Sequence, residues 1–383
     1  MKIIPYGKQF IDDKDILSVT KALKRDKLTT GDLVEKFETK IKKFVNCKYS
    51  TTCNSGTSAI FLALMSIDVK KNDIIIMPAI NFISSYNVSK LFGAKIYLAD
   101  VNKFTGQMMP ENVSDCCKKF KLKKVKAIIT MYNGGNPQSA DLFYKFKNKL
   151  NCYIIEDACH ALGAEYEYKK KTFKIGSCKH ADISTFSLHP LKTITTGEGG
   201  IVTTNSKKLN DKIKKHRSLG IKRDSKDHWK YDVVYQGFNF RLTDFQCALG
   251  MSQLKKIGLF ISSRSLIAKR YTDNLSQISQ ISIPKYDENY KSSHHLYLIH
   301  LKKGNLSLKK RLINYMKKNN IILQYHYIPI YKFKIFQDLF KGTNAEQYYK
   351  TTISLPIYYG LNSKIQNYIT EKLKLFFEKS KNR

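Results

Sequence analysis

The chain has 383 residues, 67 of them Lys or Arg and 31 Asp or Glu, for a formal charge of +36. Apolar residues make up 42%, enough to bury a sizeable core, which excludes a mainly disordered polymer despite the charge. No apolar run approaches the roughly 18 residues that a membrane span needs, and the opening residues 1–8 lack the apolar stretch and small-residue cleavage site of a signal peptide. The expectation is a cytoplasmic protein with no membrane role.

The charge does not read as a nucleic-acid surface either. Only eight of the basic residues are Arg, and Lys falls in doublets along the whole chain, such as Lys42-Lys43, Lys118-Lys119 and Lys317-Lys318. Recognition of bases and phosphates favours clustered Arg with its planar, bidentate fork. The lysines read as solvated faces, and no nucleic acid is expected as a partner. Eight cysteines are scattered without Cys-x-x-Cys or zinc spacing, the usage of a reducing compartment, so no metal site is expected.

Apolar positions at helical spacing predict helices over 11–26 (Ile16, Val19, Leu23) and 32–45 (Val34, Phe37, Ile41, Phe44). A short strand at 49–53 runs into Asn54-Ser55-Gly56-Thr57-Ser58 and then an apolar helix through 59–65. Strand-like runs recur at 73–77, 95–98, 126–131 and 152–156, with helical stretches between them, and one more strand is expected at 201–204. That alternation predicts parallel strands joined by crossover helices. Beyond about residue 255 the pattern changes to a helix at 262–274, a strand at 296–299, a helix near 307–319 and a strand at 321–324. This tail reads as a smaller α+β domain.

Four segments carry chemistry. The junction Asn54-Ser55-Gly56-Thr57-Ser58 offers backbone N–H groups and hydroxyls at a helix start, which suits a phosphate; an ordinary Ser N-cap looks the same. The run Ile154-Ile155-Glu156-Asp157-Ala158-Cys159-His160 ends an apolar strand in two acids, where ligand sites of α/β proteins lie. An acid there holds a cationic ring nitrogen or merely caps the next turn. In Ser187-Leu188-His189-Pro190-Leu191-Lys192-Thr193-Ile194 a single Lys stands among apolar and hydroxyl residues, ahead of Gly197-Glu198-Gly199-Gly200. A partly desolvated Lys has a lowered pKa and becomes nucleophilic, as Schiff-base chemistry requires. The fourth segment, Asn239-Phe240-Arg241-Leu242-Thr243-Asp244, is a polar-aromatic loop feeding an apolar helix, and by itself it reads equally as a helix start capped by Thr243.

In this order the four segments resemble the DegT/DnrJ/EryC1/StrS sugar aminotransferases. The resemblance runs from Ile4-Pro5-Tyr6-Gly7 and Leu28-Thr29-Thr30-Gly31 to Ser354-Leu355-Pro356, and it is most specific in the string from Ser187 to Gly200. It implies an α/β fold of the pyridoxal-phosphate-dependent fold type I (aspartate-aminotransferase-like). The expected parts are a large mixed-sheet α/β/α domain over 1–255, N-terminal arm included, and a smaller α+β domain over 256–383. It implies pyridoxal 5'-phosphate as cofactor, L-glutamate and a 4-keto-6-deoxy nucleotide sugar as substrates, and a homodimer with shared active sites. A sugar of the pseudaminic acid pathway is favoured over bacillosamine-, viosamine- or perosamine-type ones.

The family's roles carry over by position. Lys192 matches the lysine that holds the cofactor and later moves the proton, and Asp157 the carboxylate on the pyridine nitrogen. Gly56, Thr57 and Ser187 match the phosphate cradle, Phe82 the aromatic on the ring, and His160 a residue beside it. Asn239 matches the residue that reaches the phosphate of the neighbouring subunit. Tyr6, Thr29, His189, Arg241, His326 and Tyr327 are the matched substrate positions. Lys192 argues against the family's dehydratases, which carry His there. Where many members have His-Leu-Tyr-Gly before a Pro, this chain has Met131-Tyr132-Asn133-Gly134-Gly135-Asn136-Pro137, so this turn departs from the family pattern next to the expected site.

Overall fold

A computed structural model describes residues 2–224, 226–227, 229–336 and 341–381. Helices α1 (Asp13–Leu23) and α2 (Asp32–Val45) open it, α1 begun by a reciprocal cap between Asp12 and Asp15. There follow β1 (Tyr49–Cys53), α3 (Gly56–Ser66), β2 (Ile74–Pro78), α4 (Ser84–Leu91), β3 (Lys95–Ala99), α5 (Pro110–Lys119), β4 (Ala127–Met131), α6 (Lys145–Leu150) and β5 (Tyr153–Asp157). A hairpin of β6 (Glu165–Tyr168) and β7 (Lys171–Lys174) precedes β8 (Ile183–Ser187), β9 (Gly200–Thr204) and α7 (Lys207–Arg217). A short ribbon, β10 (Ile221–Arg223) with β11 (Tyr231–Val233), leads to α8 (Asp244–Leu254) and α9 (Ile257–Leu275). The remaining elements are β12 (Ile281–Ser282), β13 (Tyr290–Lys291), β14 (Tyr297–Leu301), α10 (Leu306–Lys318), α11 (Thr343–Thr351), β15 (Thr352–Leu355) and α12 (Ser363–Lys381).

Among the described residues, seven strands form the central sheet in the order β1-β9-β8-β5-β4-β2-β3. The strands β3, β2, β4, β5 and β8 run parallel, as the alternation predicts, whereas β9 is antiparallel to both β8 and β1. The parallel pairing that the alternation predicts therefore runs from β3 to β8 and stops at β9. The loop 188–199 that joins β8 to β9 holds no helix, and without a crossover the chain returns antiparallel. The mixed sheet of the α/β reading results.

The central strands are buried on both faces, with Ile75, Ile129, Ile155 and Ile183 packed against α3 and Ile76, Ile128 and Ile154 against the opposite layer. A second core gathers Tyr271, Ile299, Leu312, Met316, Ile353, Ile369 and Leu373 under the small sheet β12-β14-β15. The N-terminal arm joins that core: Ile4 bridges Ile321 in parallel and carries Tyr6 toward His326. The expected strand at 321–324 is not a ladder. Among the described residues it makes only isolated bridges, Ile321 to Ile4 and Gln324 to Ser354, with one partner at each end and none along its length. No helix of the described residues is long and apolar enough to cross a membrane.

Candidate active site

The carboxyl ends of β5 and β8 lie side by side, with Asp157 paired to Thr185 in register. Because β1 is antiparallel to β9, and β9 to β8, β1 also ends on this side and delivers the start of α3 here. Ser55 caps that helix, its Oγ accepting from the N–H of Ser58 at 3.0 Å. The N–H groups of Gly56 and Thr57, first in the helix, are left without intrahelical acceptors. A Cβ on Gly56 would stand 2.8 Å from that of Ser187, so only glycine lets the helix start and the end of β8 meet this closely.

These ends open into a cavity of about 600 Å³. Gly56, Thr57, Ser187, Asp157, His160 and Lys192 line it, together with the exposed Phe82. Tyr6, His189, His326 and Tyr327 complete the wall. Asp157 is buried, its Oδ2 accepting from Ser85 Oγ at 2.9 Å and its Oδ1 from the Cys159 N–H at 3.3 Å. The second bond is the turn-capping role open from sequence; the first is additional to it. Lys192 follows the tight turn in which its N–H bonds the carbonyl of His189 at 2.9 Å. Loss of water lowers its pKa, against the opposing pull of Cys159 and Asp157, which is the direction that makes an amine a usable nucleophile and base at neutral pH.

Three imidazoles crowd this lysine. Burial, then the Lys192 charge, hold His326 down to about 3. His160 and His295 are lowered well below the usual value, again mainly by burial, and their rings pack with centroids 4.1 Å apart. His189 is lowered by burial against the opposing charge of Glu198. The cavity therefore presents one lysine, the carboxyl side chains of Asp157 and Glu198, and imidazoles held toward their neutral form.

Not every expected residue is here. Thr29 is exposed and bridges Thr243, Asn239 is exposed and bridges Ser218, and Arg241 sits half-buried; none of the three borders this chain's cavity. Ser85 and His295 were missed by the sequence reading. Nothing local marks Ser85, which is one serine of several in α4, and His295 comes from a strand entry distant in the chain. Thr243 does cap α8, in a reciprocal pair with Gln246.

The pieces fit pyridoxal phosphate on three independent counts. Unpaired N–H groups with hydroxyls suit a phosphate, a buried carboxylate suits a protonated ring nitrogen, and a desolvated lysine suits an aldehyde. Comparison with known proteins agrees. Residues 9–374 match the model of the DegT/DnrJ/EryC1/StrS aminotransferase family. A protein of Campylobacter jejuni subsp. jejuni serotype O:23/36 named UDP-4-amino-4,6-dideoxy-N-acetyl-beta-L-altrosamine transaminase is 35% identical, across 99% of each chain. One of the same name from Helicobacter pylori is 32% identical across 98% of each. The solved structure of Helicobacter pylori PseC, an aminotransferase involved in the biosynthesis of pseudoaminic acid, superposes with a TM-score of 0.89 at 30% identity, covering 99% of this chain and 100% of that one. By sequence, fold and site, the chain belongs to the DegT/DnrJ/EryC1/StrS aminotransferase family.

Proposed function

We propose that this aminotransferase uses pyridoxal 5'-phosphate to move the amino group of L-glutamate to C4 of a 4-keto-6-deoxy nucleotide sugar. The preferred substrate in this reading is UDP-2-acetamido-2,6-dideoxy-β-L-arabino-hex-4-ulose. The observation that carries it is Lys192 and Asp157 lining one cavity together with Gly56 and Thr57 at the open start of α3. The names of the full-length relatives point to the sugar.

When bound, the cofactor supplies an electron sink for the bond broken at the carbon bearing nitrogen. The N–H groups of Gly56 and Thr57, with Ser187, hold its phosphate; Asp157 keeps a proton on its ring nitrogen; Phe82 covers its ring. Lys192 Nζ takes the proton from the α-carbon of glutamate and later delivers one to sugar C4, so a single base sets the stereochemistry there. Tyr6, His189 and His326 orient the nucleotide sugar at the mouth. In this reading residues 1–255 act as the cofactor-binding domain and 256–383 as the smaller one.

A homodimer with shared sites belongs to the same proposal. Among the described residues the ribbon β10–β11 pairs only with itself, and a two-stranded ribbon alone is marginal in water. Its Tyr231 and Val233, the following Phe238, and Ile16, Leu17 and Leu23 of α1 are all exposed. Apolar surface of that extent favours a second copy. Asn239 and Arg241 follow the ribbon, away from their own cavity, where a partner's cavity is the remaining place for them to act.

Borohydride treatment followed by peptide mapping tests the centre of this reading. The cofactor should be fixed on Lys192, and an adduct elsewhere ends it. Lys192→Ala should abolish turnover. The turn at 131–137 departs from the usual family pattern beside the site, which favours, as a second reading, another 4-keto sugar of bacillosamine, viosamine or perosamine type. A panel of 4-keto nucleotide sugars with glutamate, with products identified by mass and NMR, decides between them.

A further inference from the structure

We propose that the Tyr327 hydroxyl donates a hydrogen bond to an acceptor oxygen of the ligand in the cavity, and that His160 is the positioning residue that makes it a donor. The inference rests on reading this cavity as the amine-transfer site.

The N–H of Gly134 lies 3.4 Å from Nδ1 of His160, and an N–H has no lone pair, so Nδ1 must be the accepting side of the ring. A neutral imidazole accepting at Nδ1 carries its hydrogen on Nε2. That nitrogen stands 2.8 Å from the Tyr327 hydroxyl. The Nε2 hydrogen fills that contact, the phenol oxygen accepts, and the phenol hydrogen is left over. Among the described residues that hydroxyl has no second partner, and Tyr327 faces the cavity beside Phe82, with ring centroids 5.8 Å apart. The charge neighbours support the neutral ring: burial, Lys192 and His326 all disfavour an imidazolium at His160.

The turn that departs from the family pattern holds both ends of this relay. Gly134 supplies the N–H to His160, while Asn133 Nδ2 and the Tyr348 hydroxyl donate to the carbonyl of His326, the residue before Tyr327, at 3.3 and 2.7 Å. The carbonyl of His160 accepts from Ser293 Oγ at 2.7 Å. A Cβ on Gly135 would come within 2.6 Å of that same carbonyl, so the turn lies this close only because residue 135 is glycine. The His160 ring cannot swing away without leaving its packing on His295.

A hydroxyl restricted to donation recognises a carbonyl or ionised hydroxyl oxygen, and both the cofactor and the keto-sugar carry one. Nitrogen-15 NMR of histidine-labelled protein, assigned with His160→Gln, should show the Nε2–H tautomer at His160. An Nδ1–H tautomer or an imidazolium near neutral pH overturns the proposal. In the holoenzyme, Tyr327→Phe should slow amine transfer roughly 10²-fold, the scale of one aligned donor. His160→Leu should match it, and the double variant should lose no more than about threefold beyond either single one, since the two act as a unit. His160→Gln, which keeps an N–H where Nε2 stands, should recover most of the rate. A changed absorption spectrum of bound cofactor in Tyr327→Phe before sugar is added assigns the acceptor to the cofactor. An unchanged spectrum with only the sugar half-reaction slowed assigns it to the sugar. Additive losses in the double variant, or both half-reactions of Tyr327→Phe within about twofold of the parent, refute the relay. If the parent protein fails to hold the cofactor on Lys192, the reading of function falls instead, and the tautomer measurement still stands on its own.

Discussion

Glu156 precedes Asp157 on β5 and therefore points to the opposite face of the sheet. Its Oε1 accepts from the Tyr132 hydroxyl at 2.8 Å and its Oε2 from Ser184 Oγ. Ser184 stands opposite it on β8, and Tyr132 comes directly after β4, so this buried carboxylate ties three adjacent strands together one residue before the active-site acid. Glu156→Ala would leave two buried hydroxyls without an acceptor, at about 1–3 kcal/mol each, with some further loss for the void. The expected destabilisation is about 3–5 kcal/mol. Glu156→Gln keeps the size and one acceptor and should cost about 1–2 kcal/mol. The pH dependence has a definite sign. Burial raises the Glu156 pKa above 4.5 despite the hydrogen bonds from Ser184 and Tyr132. The folded state then binds the proton more tightly than the unfolded one, so this group's contribution is full below the unfolded pKa and is lost as pH rises through the folded one. The gap between parent and Glu156→Gln should accordingly narrow from acid toward neutral pH. Urea unfolding followed by circular dichroism at several pH values measures it. An alanine variant within about 0.5 kcal/mol of the parent, or a gap that widens with pH, would refute the reasoning.

Asp157→Asn should lower the transfer rate far more than the affinity for pyridoxal phosphate, because its charge supports a protonated ring nitrogen in a site poor in water; single-turnover kinetics beside a cofactor titration separate the two. The buried histidines predict an acid limit of stability: His326 titrates near 3 when folded and at its ordinary 6.5 when unfolded, so the unfolded chain binds the extra proton and stability falls as pH drops through that window, by about 1.4 kcal/mol per pH unit for the group. Unfolding curves of His326→Gln should show a shallower acid slope than the parent. If the sites are shared, inactive Lys192→Ala and Asn239→Asp subunits should regain activity when mixed and exchanged, since one site of the hybrid is then intact; verified hybrids without activity would place Asn239 in its own chain.

The features that one short stretch of sequence can specify were legible without a structure. Ser55 and Thr243 are capping residues whose own side chains begin α3 and α8, and an apolar run ending in Asp157 is a buried strand with an acid at its tip. The segment around Lys192 carries both its apolar neighbours and its glycines, so its unusual lysine stood out from a chain rich in that residue. What tertiary structure alone decided is which of these stretches meet. Strand order, and the reversal of β9, bring Gly56 against Ser187; hydrophobic periodicity reports which face is buried but not which strand lies beside it. The cluster of His160, His295, His326 and Tyr327 draws on three separate segments, and the hydrogen bond of Ser85 to Asp157 on a fourth. Such contacts depend on how the two cores close around the cavity, an energy shared among many side chains and written in no single one.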